Sequence, residues 1–196
     1  MPITDLPRLM VAAASSGSGK TTVVCTLLEL LRRRSCQAAA FKSGPDYIDP
    51  VLDTPSYNLD LFLLGRNEPG RDTACRILGR HGRQKEIAIL EGAMGYYDGI
   101  GMGSEASAYE LASATGTPVV LVVDGRGSAL TLAAVLKGMA AFQPDCRFYR
   151  QPGKTHGVCP LPPCLGRGIG TPVAGVSAGH AGLYLFQPSS GIGDGF

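Results

Sequence analysis

Residues 14–22 read ASSGSGKTT, a glycine-rich segment that ends in Gly-Lys-Thr and follows a short apolar run at 9–13. The apolar run predicts a buried strand, and apolar residues at helical spacing over 23–31 predict a helix. A glycine-rich loop between a strand and a helix is typical of proteins that hold nucleotide phosphates, because backbone N–H groups and the helix N-terminus point at the anion. A simple Gly/Ser turn with a surface lysine is the alternative. The predicted phosphate-binding residues are Ser16, Gly17, Ser18, Gly19, Lys20, Thr21 and Thr22.

Two side chains of this loop have predicted chemical roles. Lys20 places its ammonium on the β- and γ-phosphate oxygens, and Thr21 offers its hydroxyl to Mg²⁺. The loop departs from the usual GxxxxGK[ST] pattern at its first position, where Ala14 replaces glycine. Alanine does not readily adopt a positive φ, so the chain must pass Ala14 in a conformation that tolerates a Cβ atom. ATP and Mg²⁺ are therefore the predicted cofactors.

The charge and the cysteine content of the chain indicate which classes of partner and which cellular compartment to expect. The 196 residues carry a formal net charge of +2 with both signs interspersed, which gives no reason to expect nucleic acid or a membrane surface as a partner. No apolar stretch is long enough to span a bilayer. The six cysteines are scattered and form neither a disulfide framework nor a zinc-ligand spacing. The sequence therefore predicts a cytoplasmic protein of ordinary domain size.

Apolar strands and helical segments alternate along most of the chain. This alternation, with strands that are apolar on both faces, indicates an α/β fold with a mostly parallel sheet and helices on both faces. Loops at the carboxyl ends of such strands gather at the edge where open α/β sheets bind ligands. Beyond the first strand and helix, the predicted strands are 38–42, 87–90 and 118–123, and the predicted helices are 71–79, 107–115 and 129–142.

Charged side chains follow several of these strands and should meet at that edge. They are Lys42, Asp46, Glu91 and Asp124. Mg²⁺ prefers hard oxygen ligands, usually one or two carboxylates with phosphate oxygens and water, so Asp46 and Glu91 are the candidate metal ligands. The alternatives are a turn residue after Pro45 for Asp46 and a helix or loop cap for Glu91.

Three longer segments carry a specific resemblance. FKSGPDYIDP at 41–50, NLD at 58–60 and EGAMGYYDG at 91–99 resemble motifs of the cobyrinic acid a,c-diamide synthase family, which are enzymes of corrinoid (vitamin B12) biosynthesis. The resemblance covers about residues 8–145. Cobyric acid synthase and dethiobiotin synthetase share the loop and the magnesium carboxylates but lack GPDYIDP in this form. The resemblance implies a P-loop NTPase-like fold of the dethiobiotin synthetase type.

The resemblance also implies a reaction and a set of roles. The a and c acetate carboxylates of cobyrinic or hydrogenobyrinic acid would be converted to acyl phosphates by ATP and then to amides by ammonia. Thr21, Asp46 and Glu91 would hold Mg²⁺. The implied catalytic residues are Lys20, Lys42 and Asp98, and the implied corrinoid-binding residues are Tyr47, Asp49, Tyr97 and Asp98. A packed aromatic for Tyr47 and a turn residue before Pro50 for Asp49 are the alternatives.

Residues 146–196 differ from the rest of the chain. They are rich in glycine and proline and predict a poorly ordered tail. In the resembled family a C-terminal glutaminase domain supplies ammonia, and a strand of the form GVILNR follows the last matched helix; we expect both to be missing here. We expect a truncated or frame-shifted reading of a longer gene, with no glutamine-dependent activity and weak ATP binding. The resemblance leaves a homodimer open.

Two other functions fit the same fold. One is another P-loop amide ligase that acts on a different acidic tetrapyrrole. The other is an ATP-dependent dimerisation switch of the partitioning type, which binds ATP without making a bond. Such switches usually carry a second lysine early in the loop, where this chain has Ser15. Phosphate release that depends on a corrinoid carboxylate would favour a ligase, and dimerisation driven by ATP alone would favour a switch.

Overall fold

Five parallel strands and two short antiparallel strands form one sheet in the part of the chain that the structure describes. The computed structural model describes residues 5–44, 56–64, 68–124, 130–148, 177–178 and 181–183. In chain order the elements are β1 (Arg8–Ala13), α1 (Lys20–Arg33), β2 (Ala38–Lys42), β3 (Ser56–Asn58), α2 (Leu61–Leu64), α3 (Glu68–Gly82), β4 (Ile87–Glu91), α4 (Ala108–Thr115), β5 (Val119–Val123), α5 (Leu130–Phe142), β6 (Ser177–Ala178) and β7 (Ala181–Leu183). The strand order is β3-β2-β4-β1-β5-β7-β6.

The predicted α/β class and parallel sheet are confirmed. β1 lies between β4 and β5, and β2 lies on the far side of β4, with parallel pairing throughout this group. Glu91, the last residue of β4, is in register with Val11 of β1 and with Lys42 of β2. The carboxyl ends of these three strands therefore meet at one edge of the sheet.

The core consists of two layers, one on each face of the sheet, because side chains alternate along each strand. On one face Leu9, Val11 and Ala13 pack with the buried side of α1. On the other face Met10 and Ala12 join a larger layer that includes Phe41 and side chains of α3 and α4. β1, β4 and β5 have buried residues on both faces, as expected of strands covered by helices on both sides.

Helix boundaries follow local signals. α4 begins after Ser107, whose hydroxyl accepts a hydrogen bond from the Glu110 N–H at 3.3 Å, and it ends at Gly116 with φ 64°.

α3 is longer than the predicted 71–79. Pro69 lies in its first turn, where a missing N–H costs no helical hydrogen bond, and packing of buried Ala74 and Leu78 outweighs the weak helix propensity of Gly79.

The sequence analysis did not predict the shortest strands and helix. β3 and α2 comprise three and four residues, too few to show a period. Within the predicted tail, β7 pairs antiparallel with β5 and β6 pairs with β7. The other residues after 148 lie outside the described part of the chain. Among the described helices, none is both long enough and apolar enough to cross a membrane.

The loop between β4 and α4 contains a close backbone approach that requires glycine. A Cβ atom built on Gly99 would lie 2.2 Å from the Glu105 carbonyl oxygen, whereas one built on Gly103 would meet nothing closer than 3.7 Å. We predict that Gly99→Ala lowers the free energy of unfolding by about 1–3 kcal/mol, because backbone atoms must move apart. Gly103→Ala, the matched control four residues away, should change it by less than about 0.5 kcal/mol. Urea unfolding of both variants tests this, and equal stabilities would contradict it.

Candidate active site

The loop between β1 and α1 has the conformation that a phosphate site needs. Gly17 and Gly19 have φ values of 74° and 88°, in the left-handed region that favours glycine. No side chain caps α1, and Gly19 occupies its N-cap position, so the first backbone N–H groups of the helix remain available to an anion. Ala14 has a negative φ, which explains why alanine is tolerated where the usual pattern has glycine.

Lys20, the first residue of α1, is held by backbone carbonyl groups. Its ammonium donates to the Ser15 oxygen at 3.1 Å and to the Met94 oxygen at 2.6 Å. The residue is 8% exposed, and burial lowers the pKa of Lys20 while the charge of Glu91 opposes that shift. Both carbonyls are neutral acceptors, so the lysine charge has no bonded anionic partner among the described residues. A phosphate oxygen would be a stronger acceptor for it.

Glu91, at the end of β4, connects the predicted phosphate-binding loop (residues 14–22) and the start of α1 to the neighbouring strand β2. Its Oε1 accepts a hydrogen bond from the Thr21 hydroxyl at 2.6 Å and lies 3.5 Å from the ammonium of Lys42. The Glu91 side chain is 2% exposed and that of Lys42 is 11% exposed, so solvent screens this ion pair weakly. Of the four strand-end residues expected to meet at this edge, Lys42 and Glu91 are therefore in contact, beside Thr21. Asp46 lies outside the described residues, and Asp124 does not line the cavity that Lys42 and Glu91 share.

One oxygen of the Glu91 carboxylate has no hydrogen-bond partner among the described residues. This atom, Oε2, is fully buried, and an unpaired buried carboxylate oxygen is costly. A cation such as Mg²⁺ would satisfy it, and the Thr21 hydroxyl beside Oε1 is a second oxygen ligand of the kind that Mg²⁺ accepts. Among the described residues there is no cluster of three or more His, Cys, Asp and Glu side chains suited to a metal. The described residues thus fit a Mg²⁺ ion that takes its remaining ligands from phosphate or water.

A cavity of about 350 Å³ lies over these side chains. Both loop residues and strand-end residues line it. The lining residues are Ser16, Gly17, Gly19, Lys20, Thr21, Lys42, Ser43, Gly44, Glu91, Gly92, Ala93 and Met94.

Other predicted site residues lie beside this cavity without lining it. Ser18 is 5% exposed, and its hydroxyl donates to the Ser15 oxygen at 2.9 Å, so it supports the shape of the loop. Thr22 is exposed on the first turn of α1. Asp98 accepts a hydrogen bond from the Gly95 N–H at 3.0 Å and thereby closes the turn that follows β4.

Tyr97 belongs to an aromatic cluster on the side of α5. Its hydroxyl donates to the Met139 oxygen at 2.7 Å, and its ring contacts those of Tyr96, Tyr109 and Phe142. Burial in this cluster raises the pKa of Tyr97 well above its usual value. The role predicted for Tyr97 in corrinoid binding stays a prediction.

Three predicted site residues, Asp46, Tyr47 and Asp49, lie outside the described residues, and their assignments also stay predictions.

The sequence analysis did not identify Ser43 and Met94 as residues of the cavity. Both fall inside the segments that carry the family resemblance, at 41–50 and 91–99. Ser43 directly follows β2 and Met94 lies three residues after β4, and this position in the loops at the carboxyl ends of strands was the signal that could have identified them.

Comparison with known proteins agrees with this geometry. Residues 9–143 match the family model described as the CobQ/CobB/MinD/ParA nucleotide binding domain. Cobyrinate a,c-diamide synthase of Thermoplasma acidophilum is 41% identical over 143 residues, which is 70% of this chain and 31% of the relative. Hydrogenobyrinate a,c-diamide synthase of Pseudomonas aeruginosa is 39% identical over 147 residues, covering 72% of this chain and 32% of the relative. The chain thus spans about a third of the length of these curated relatives.

The pairing of Lys42 with Glu91 leads to a stability prediction for the ligand-free protein. Lys42→Met removes the ammonium and leaves a buried carboxylate with Thr21 as its remaining bonded partner among the described residues. We expect the free energy of unfolding to fall by about 2–3 kcal/mol, somewhat less than for a fully buried pair because Lys42 retains some exposure. Adding Glu91→Gln should restore most of that loss, because the double variant buries no unpaired charge. Chemical denaturation of the single and double variants measures the coupling, and purely additive losses would contradict it.

Proposed function

Because the chain belongs to the CobQ/CobB/MinD/ParA nucleotide-binding domain family, we propose that it is the ATP-binding part of a ligase that amidates an acidic corrinoid. The observation that carries the proposal is the convergence of Lys20, Thr21, Lys42 and Glu91 on one cavity beside the N-terminus of α1. These residues offer donors for phosphate, oxygen ligands for a metal and a second cation for a transferring group. The names of the curated relatives, cobyrinate and hydrogenobyrinate a,c-diamide synthases, support the choice of substrate.

ATP is the proposed nucleotide, and its phosphates would be held by residues 16–22. The N–H groups at the start of α1, which no side chain caps, would donate to phosphate oxygens. Lys20 would exchange the carbonyls of Ser15 and Met94 for the β- and γ-phosphate oxygens, since a charged acceptor forms the stronger hydrogen bond.

Mg²⁺ is the proposed metal, held by Thr21, Glu91 and Asp46. The unpartnered Oε2 of Glu91 supports this assignment, and Asp46 enters it from the sequence motif. When bound, the ion would neutralise charge on the phosphate oxygens. The described residues keep the carboxylate buried and oriented, because Thr21 and Lys42 both contact the other oxygen of Glu91.

The proposed reaction has two steps. A carboxylate oxygen of the corrinoid attacks the γ-phosphorus, the bond to the β-phosphate oxygen breaks, and ADP leaves with an acyl phosphate formed. Ammonia then attacks the acyl carbon, phosphate leaves, and a proton is lost to give the amide. Lys42 would stabilise charge on the transferring phosphoryl group, because its ammonium lies at the same cavity as Lys20 and Thr21.

The remaining roles follow the sequence resemblance. Tyr47, Asp49, Tyr97 and Asp98 are proposed to contact the corrinoid, with Asp98 also taking part in catalysis. We propose that ammonia comes from glutamine hydrolysis by a separate domain in longer relatives, and that the reaction takes place in the cytoplasm. A ligase for another acidic tetrapyrrole is the closest alternative, and corrinoid-dependent release of phosphate from ATP would separate the two.

Lys20→Ala should abolish nucleotide-dependent chemistry. The ammonium is proposed to contact the phosphates directly, so we expect at least a tenfold loss of ATP affinity, which is about 1.4 kcal/mol or more. Calorimetric titration of the full chain with ATP and Mg²⁺ measures the change. Lys85→Ala is the matched control, because Lys85 contacts Gln37 at the opposite edge of the sheet and should bind ATP normally. Equal affinities of the two variants would refute the role of the loop.

Removing the proposed metal ligands should change the magnesium requirement. Asp46→Asn and Glu91→Gln replace a carboxylate by an amide of the same size, so each should raise the Mg²⁺ concentration needed for half-maximal ATP binding, with the fold retained. A magnesium titration at fixed ATP, with circular dichroism as the folding control, measures this. An unchanged titration in both variants would remove them from the metal site.

A further inference from the structure

Ser43 is a polar residue that lines the cavity but belongs neither to the loop between β1 and α1 nor to the proposed metal ligands. It follows Lys42 directly after β2, is 3% exposed and lines the cavity. Its backbone N–H donates to the Glu91 oxygen at 2.9 Å, which fixes the residue against β4. Within the described part of the chain, no hydrogen bond to its hydroxyl is found.

The Ser43 hydroxyl therefore needs a hydrogen-bond partner, and the cavity is where one can be supplied. Buried polar groups in folded proteins are almost always hydrogen-bonded, because leaving one unpaired forfeits its interaction with water. The Ser43 hydroxyl is not enclosed completely, since it is absent from the fully buried unpaired atoms, which include Glu91 Oε2. The hydroxyl is therefore open to a hydrogen-bond partner in the cavity, and a ligand that enters the cavity would supply one.

The backbone around Ser43 leaves it little freedom to move away. Gly44 has a φ of 111°, and a Cβ atom built on it would lie 2.7 Å from the Cβ of Ala93. The two loops after β2 and β4 are therefore in close contact at this point. Together with the hydrogen bond from the Ser43 N–H to Glu91, this contact holds the serine at the cavity wall.

The position of Ser43 in the sheet indicates which part of a nucleotide it can reach. The phosphate-binding loop follows β1, and β2 lies two strand positions away with β4 between them, a separation of about 10 Å. The loop and Lys20 hold the phosphate chain from the β1 side. A group that contacts Ser43 must extend past Glu91 toward Lys42, and the terminal phosphate is the part of ATP that extends furthest from the nucleoside. The Ser43 hydroxyl lines the same cavity as the Lys42 ammonium, and a hydroxyl can donate to an anionic oxygen there.

We propose that the Ser43 hydroxyl donates a hydrogen bond to the terminal phosphate of ATP and thereby favours ATP over ADP. The inference rests on the proposed function, because it takes the loop at 16–22 to hold the phosphate chain. It adds a residue of the β2 side to the recognition of the nucleotide. ADP lacks the terminal phosphate and therefore gains nothing from Ser43.

The test compares nucleotide affinities of the full chain and of matched variants. Dissociation constants for a non-hydrolysable ATP analogue and for ADP, both with Mg²⁺, are measured by calorimetry. Ser43→Ala should weaken binding of the ATP analogue by about tenfold to a hundredfold, the range for a hydrogen bond to a charged group, and leave ADP binding unchanged. Ser43→Cys keeps the size of the side chain but has a weak donor, so it should also bind the analogue less tightly than the wild type. Ser113→Ala is the control, since its hydroxyl bonds Asp145 away from the cavity.

The outcomes distinguish failure of the Ser43 proposal from failure of the proposed function. Unchanged affinity of Ser43→Ala for the ATP analogue overturns the role of Ser43 and leaves the proposed function standing. An equal loss for ADP and for the analogue also overturns it, because a distorted cavity would affect both nucleotides. Wild-type protein that binds neither nucleotide overturns the proposed function and the role of Ser43 with it. Melting temperatures close to that of the wild type establish that the variants are folded.

Discussion

The buried carboxylate of Glu91 is the interaction on which the arrangement of the site depends. Glu91 ends the central strand β4, and its neighbours in register are Val11 and Lys42. Through Oε1 it binds Thr21 on one side and pairs with Lys42 on the other. A carboxylate with 2% exposure is stable only when such partners are present, so the same contacts that make its burial tolerable also hold the phosphate-binding loop and β2 in fixed positions.

The balance of charge around Glu91 suits an anionic ligand. Among the described residues that line the cavity, Lys20 and Lys42 supply two positive charges and Glu91 supplies one negative charge, whose Oε1 contacts both Thr21 and Lys42. Burial lowers the pKa of Lys20, because the loss of contact with water is a cost to its charged form. Entry of a phosphate chain would reduce that cost, because ammonium groups near anionic oxygens recover the interaction lost on leaving water. The site is therefore built to gain most from a polyanion.

The sequence predicted what depends on local pattern and missed what depends on tertiary contact. The long apolar strands, the glycine-rich loop and the strand-end charges Lys42 and Glu91 were predictable, because each is encoded within a few neighbouring residues. The extent of α3 was not, since burial of Ala74 and Leu78 overrides the weak propensity of Gly79. The bond from Lys20 to the Met94 carbonyl joins residues 74 positions apart, and no local signal reports it.

In this chain the loops that follow β2 and β4 are constrained by packing as well as by chemistry. The loop after β4 is tied to β1 by hydrogen bonds from the Gly92 N–H to the Val11 oxygen at 2.9 Å and from the Tyr96 N–H to the Ala13 oxygen at 2.8 Å. Between these two ties the loop passes so close to Gly44 that a side chain there would strike Ala93. Small residues are therefore required on both loops, because a larger one would separate β2 from β4 and break the alignment of Lys42 with Glu91. The sequences after β2 and after β4 together therefore report that Lys42 and Glu91 are aligned. The sequence of the loop between β1 and α1 alone carries no such information.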